Sequence, residues 1–162
     1  RDSDPGEVVA GARALIEEIR NAPNVPRFVA KAIASLEDLV ELIEDADYAA
    51  PKRVVNRALA ALAYFSNPDD LIPDEIPVLG FLDDAIMIKF VERDFRYELS
   101  AYRKFRRFRR GAEQRPWTEV ARGRLPGRLV AERARLRDEV TRREEADADK
   151  GATSTKGRRR FI

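Results

Sequence analysis

Asn67-Pro-Asp-Asp-Leu-Ile-Pro-Asp-Glu-Ile-Pro-Val-Leu-Gly-Phe-Leu-Asp-Asp84 is the stretch on which the reading of this chain turns. Pro68, Pro73 and Pro77 each fix φ and remove a donor, so no regular element is expected across them. Leu71, Ile72, Ile76, Val78 and Leu79 are nonetheless too apolar for a solvated loop. Together these features predict a compact, packed turn joining two helices.

Upstream, Pro51 opens a helix carrying Val54, Val55, Ala58, Leu59, Leu62 and Phe65, rich enough in alanine for a neighbouring helix to approach closely. Before it, Val29, Ile33, Leu36, Val40 and Ile43 recur at three and four residues, flanked by Phe28, Leu39 and Leu42, predicting a helix to about Asp47. Asn21-Ala-Pro-Asn-Val-Pro26 separates it from a first helix that starts at Pro5 behind Ser3 or Asp4. Val8, Val9, Ala12, Leu15, Ile16 and Ile19 form the apolar face of that helix.

Downstream, the pattern predicts one long helix from about Phe81 to Arg110, ended by Gly111 as a left-handed cap and about 45 Å long. Leu82, Ile86, Phe90, Val91, Phe95 and Leu99 read as its core face. Beyond Gly111, Trp117, Val120 and Leu125 suggest a short helix, Pro126-Gly127 a break, and Leu129, Leu136 and Val140 a thin stripe on a charged helix. From Ala146 the composition predicts disorder.

The proline-rich segment resembles the YkvA-like family of bacterial proteins, a domain of unknown function. Its pattern is close to Asn-Pro-x-Asp-Leu-Ile-Pro-Asp-x-Ile-Pro-x-Leu-Gly-x-Leu-Asp-Asp. Asn67, Pro68, Asp70, Leu71, Ile72, Pro73, Asp74, Ile76, Pro77, Leu79, Gly80, Leu82, Asp83 and Asp84 occupy its fixed positions. The resemblance implies a small helical domain, associated with membranes and without an established activity.

Composition narrows the chemistry. The 162 residues include neither Cys nor His, which removes disulfides, thiolate nucleophiles, Cys-ligated zinc and the commonest general base. Ser66, Ser100, Thr118 and Thr141 therefore have no histidine to activate them, and Gly80 and Gly123 are isolated rather than part of a phosphate-binding loop. The longest uncharged run, Ala58 to Pro68, is far short of the roughly 20 residues of a spanning helix. No stretch has the order of a signal peptide, so the expected location is the cytoplasm, with peripheral contact at a membrane as the alternative.

The net charge of +2 conceals an asymmetry: residues 1 to 100 carry 11 Lys and Arg against 20 Asp and Glu, whereas residues 101 to 162 carry 20 against 9. Two halves of opposite sign either face each other or face different partners.

Candidate sites follow from these patterns. Asp69, Asp70, Asp74, Asp83 and Asp84 offer oxygen ligands that could hold Mg²⁺ or Mn²⁺ and support phosphoryl chemistry, with Asp70, Asp74, Asp83 and Asp84 as the metal set. The competing reading makes them caps for backbone N–H groups, with Asp83 and Asp84 favoured by the dipole at a helix start. Arg103, Lys104, Arg106, Arg107, Arg109 and Arg110, interleaved with Tyr102, Phe105 and Phe108, form a basic run suited to phosphates or lipid headgroups. Its alternative is a solvated face above aromatic core contacts. Arg158, Arg159 and Arg160 end the chain as a second basic cluster, before Phe161 and Ile162.

The expected architecture is all-α. A four-helix bundle-like domain spans residues 1–111, with motif core 58–84 and the Pro/Asp-rich turn between helices 3 and 4. A basic helical arm follows over 112–145, and a flexible tail over 146–162. The expected function is a non-enzymatic interaction or scaffold module whose basic C-terminal part engages an anionic partner: nucleic acid, an acidic membrane surface or an acidic protein. No cofactor is expected under that reading. The alternative is a Mg- or Mn-dependent phosphoryl or phosphodiester enzyme built on the aspartate-rich turn.

Overall fold

The computed structural model describes residues 4–66, 77–115 and 118–159. Among them there are α-helices and one 3-10 turn and no strand, so the chain is all-α. It divides into two compact units, Arg1–Arg96 and Tyr97–Ile162, a boundary ahead of the residue 111 suggested by the sequence. The first unit carries 11 Lys and Arg against 19 Asp and Glu, and the second 20 against 10, so the charge asymmetry follows the division.

In the first unit, α1 (Pro5–Asn21) starts as its sequence predicts: Pro5 occupies the first turn and the Asp4 carboxylate accepts from Gly6 N at 3.4 Å. Arg27–Glu44 forms α2 and Lys52–Ala63 forms α3, followed by a 3-10 turn at Tyr64–Ser66. α2 packs on both α1 and α4 (Pro77–Asp94), and α1 packs on α3. Val8, Ile16, Ile19, Val29, Leu36, Leu39, Val40, Leu42, Val54, Leu62 and Ile88 are buried between them.

The turn between α2 and α3 is organised by Asp45. Its Oδ1 accepts from Asp47 N at 3.1 Å and Tyr48 N at 3.2 Å, which stops α2 short of the predicted Asp47 and seats Tyr48, 1% exposed, in the core. Asp45→Ala is expected to cost about 1 kcal/mol, as loss of a cap does, and a urea titration of the full chain reads it directly.

Two expectations for the long helix are corrected. It is two helices, α4 ending at Asp94 and α5 spanning Arg96–Gln114, with Phe95 between them still donating to Val91 O at 3.0 Å. Gly111 does not cap either one. It lies inside α5, and no glycine among the described residues has positive φ. Ala112, Glu113 and Gln114 are good helix formers that extend the helix past it.

The core face of α4 is also different from the predicted one. Ile86 and Phe90 are 49% and 57% exposed, while Ala85 and Ile88 are buried. Ile86, Met87, Ile88, Phe90 and Val91 surround the helix with apolar groups, so periodicity did not single out a face. The inward line passes instead through Glu92, whose carboxylate accepts from Ser35 Oγ on α2 at 2.6 Å.

The second unit contains α5, α6 (Glu119–Gly123) and α7 (Leu125–Arg159). Late residues of α7 meet early residues of α5, and early ones meet late ones, so the two helices form an antiparallel hairpin. Asp147 and Arg143 contact Tyr97, Arg137 binds Glu98, and Arg128 lies over Phe108. Leu99, Tyr102, Phe105, Leu136 and Val140 are buried, so the stripe on α7 helps build a core.

Pro126-Gly127 does not break α7, because Pro is tolerated in a first turn where its missing N–H has no partner to lose. The expected disorder from Ala146 is likewise replaced by helix to Arg159.

Candidate anion-binding surface

The basic run on α5 is sorted by helical periodicity into engaged and solvent-facing cations. Lys104 Nζ donates to Glu139 Oε1 on α7 at 2.7 Å. Arg106 and Arg109 lie over the rings of Tyr102 and Phe105, 5.5 and 5.3 Å from their centroids, and Arg103 is half-buried. Tyr102 and Phe105 are core residues, as the alternative reading of this run expected, with Phe108 half-buried beyond them. Arg107 and Arg110 are exposed.

The Lys104 pair makes a specific pH prediction. The Glu139 carboxyl is held below its ordinary range, first by the Lys104 hydrogen bond, against the opposing effect of burial, with further attraction from Lys104, Arg135 and Arg143. A depressed carboxylate stabilises the folded state above its unfolded value, near 4.3 for Glu, and loses that contribution as pH falls through the lower folded value. Lys104→Met should therefore cost less than about 1 kcal/mol at neutral pH. The difference from the parent chain should shrink in urea titrations taken progressively below the ordinary glutamate range.

At the far end of α5 the solvent-facing cations converge with others. Arg107, Phe108, Gly111 and Ala112 of α5, Arg115 just past its end, and Arg128 in the early part of α7 line one cleft of about 240 Å³. Among the described residues its lining contains three guanidiniums and no carboxylate. Arg128 is placed over the Phe108 ring, 5.9 Å from its centroid, which fixes one wall. The sequence reading missed Arg115 and Arg128, because only the hairpin returns the start of α7 to the end of α5. The excess of arginine after residue 100 was the available signal.

The remaining predicted site residues do not join this cleft's described lining. Arg158 and Arg159 lie in the last turn of α7, and Arg160 falls outside the described residues. Asp69, Asp70 and Asp74 also fall outside them. Asp83 is exposed and Asp84 half-buried, both in the second turn of α4 rather than its first, because that helix begins at Pro77. The dipole stabilisation expected for them fades beyond the first turn. Among the described residues no group of three or more acidic side chains is placed to hold a metal ion.

Comparison with known proteins places the chain in a family. The model of a family of proteins of unknown function, DUF1232, matches residues 57–90, which begin in α3, include the proline-rich segment outside the described residues, and end in α4. A Bacillus subtilis (strain 168) protein named uncharacterized membrane protein YkvA is 35% identical over 82 residues, covering 47% of this chain and 76% of that protein. The chain belongs to this YkvA-like family. No solved structure matches it. Among the described residues no helix is long and apolar enough to cross a membrane.

Proposed function

We propose that this chain is a non-enzymatic interaction module whose basic second unit binds an acidic membrane surface peripherally. The observation that carries the reading is the convergence of Arg107, Arg115 and Arg128 on one cleft, with Arg110 exposed on the same helix. Each Lys or Arg near an anionic leaflet contributes about 1 kcal/mol, so a local group of four is enough for reversible attachment.

Two further observations favour lipid over nucleic acid. Phe28, Ile86 and Phe90 of the first unit are 42%, 49% and 57% exposed, and apolar groups of this kind gain by entering a lipid interface. The Bacillus relative is named a membrane protein, and no helix among the described residues of this chain is long and apolar enough to cross a membrane, so the reading takes contact at the surface.

Co-sedimentation of the full chain with vesicles tests the proposal. Binding to vesicles of acidic lipid, release at high salt and absence from zwitterionic vesicles are the expected results. A chain that remains in the supernatant with acidic vesicles, or that RNA strips from them at equal phosphate concentration, overturns the membrane reading.

A further inference from the structure

We infer that the closed end of the hairpin formed by α5 and α7 penetrates the lipid surface, with Val120 entering the boundary between headgroups and acyl chains and the arginines around it holding lipid phosphates. The inference rests on the acidic-membrane reading and deepens it by naming the element that enters the leaflet.

The polarity of the hairpin points to that end. Residues 107–130, which form it, carry seven arginines against two glutamates, whereas residues 131–150 carry six Lys and Arg against seven Asp and Glu. Arg107 and Arg110 of α5, Arg122 of α6 and Arg124 just past it are all exposed. None of these four guanidiniums makes a hydrogen bond, ion pair or ring contact with another described residue. They are available to an anionic surface.

Exposed apolar groups lie at the same end. Thr118 Oγ1 accepts from Ala121 N at 3.2 Å, and Arg124 N donates to Ala121 O at 3.1 Å, so α6 is closed at both ends although it has five residues. Within it the smaller Ala121 is half-buried and Val120 is 70% exposed, the reverse of what burial of the larger apolar group would give. Val130, in the second turn of α7, is 49% exposed. Among the described residues of the second unit these are the two exposed large apolar side chains. A lone exposed valine needs no explanation, but both fall where the cations gather.

Lipid suits this combination better than other anionic partners. Arginine stems lie along the acyl boundary while their guanidiniums stay with the phosphates, and an aliphatic group between them gains by leaving water. Nucleic acid rewards exposed rings that stack on bases, whereas Phe108 at this end is half-buried with Arg128 over its face. Two valines supply too little apolar surface for the core of a protein interface, and a second copy of the same tip would bring like charges together.

The test uses the full chain, whose lack of cysteine lets one introduced thiol carry a single environment-sensitive dye. Val120→Cys places the dye at the tip, and Ala148→Cys places it at an exposed position late in α7. On vesicles containing phosphatidylglycerol, the dye at 120 should shift to the blue and be quenched by lipids brominated on their acyl chains. The dye at 148 should keep its aqueous spectrum. In unlabelled chains Val120→Ser should weaken binding about fivefold, as expected when part of a valine no longer leaves water, while Ala148→Ser binds as the parent does. An aqueous spectrum at 120 on vesicle-bound chain, equal quenching at the two positions, or parent-level binding by Val120→Ser overturns the inference and leaves acidic-membrane binding standing. A parent chain that ignores acidic vesicles overturns both.

Discussion

Arg137→Ala is expected to destabilise the second unit by about 3 kcal/mol or somewhat more, a large fraction of the stability of a unit this size. Glu98 is only 4% exposed, and its two carboxylate oxygens accept from Arg137 Nη1 and Nη2, both at 2.6 Å. Burying a carboxylate incurs a desolvation penalty that the facing guanidinium offsets, so removing the guanidinium alone leaves the penalty in place. Arg137 is itself 24% exposed, which lets water reach the edge of the pair and puts the effect toward the lower end of the range for buried pairs. Replacing both partners, as Glu98→Leu with Arg137→Met, should cost much less than the single change. Hydrogen exchange across α5 and α7 reads the effect within the second unit. An Arg137→Ala chain whose hairpin amides exchange at the parent rate would show that the pair contributes no net stability.

This pair also illustrates where sequence reasoning stops. The helices themselves were legible, because spacings such as Val29, Ile33, Leu36 and Val40 on α2 report local geometry. Pro5 and Pro51 marked helix starts for the same local reason. What lies between helices was not legible. Glu98 and Arg137 are 39 residues apart, and Arg107 and Arg128 belong to different helices, so their meeting depends on a hairpin that no short pattern encodes. The exposed Ile86 and Phe90 failed for a different reason. An apolar residue is inexpensive at a surface and informative only where a polar contrast exists, and α4 offers little contrast over those positions. Charge was informative in bulk but not in detail: the excess of arginine marked the second unit, while Lys104, Arg106 and Arg109 turned out to be engaged with α7 or with their own helix's rings.

Neutralising Arg107, Arg110, Arg115 and Arg128 together to glutamine is expected to weaken binding to acidic vesicles by about 4 kcal/mol, close to a thousandfold, at low salt. Their shared position near the end of α5 and the beginning of α7 lets all four approach the headgroup layer together. The fold should tolerate the change, because all four are exposed and surface substitutions generally fall within about 0.5 kcal/mol. Loss of the Arg128 contact with Phe108 adds no more than about 1 kcal/mol. Salt supplies an internal control. The screening length falls from about 10 Å at 0.1 M to about 3 Å at 1 M, so the difference between the parent and the quadruple variant should collapse as ionic strength rises. A residual, salt-insensitive affinity shared by both chains would belong to apolar insertion, and Phe90→Ser should then reduce it, since Phe90 is more exposed than Phe28 or Ile86. Undiminished low-salt binding by the quadruple variant would separate membrane attachment from the arginine cleft altogether.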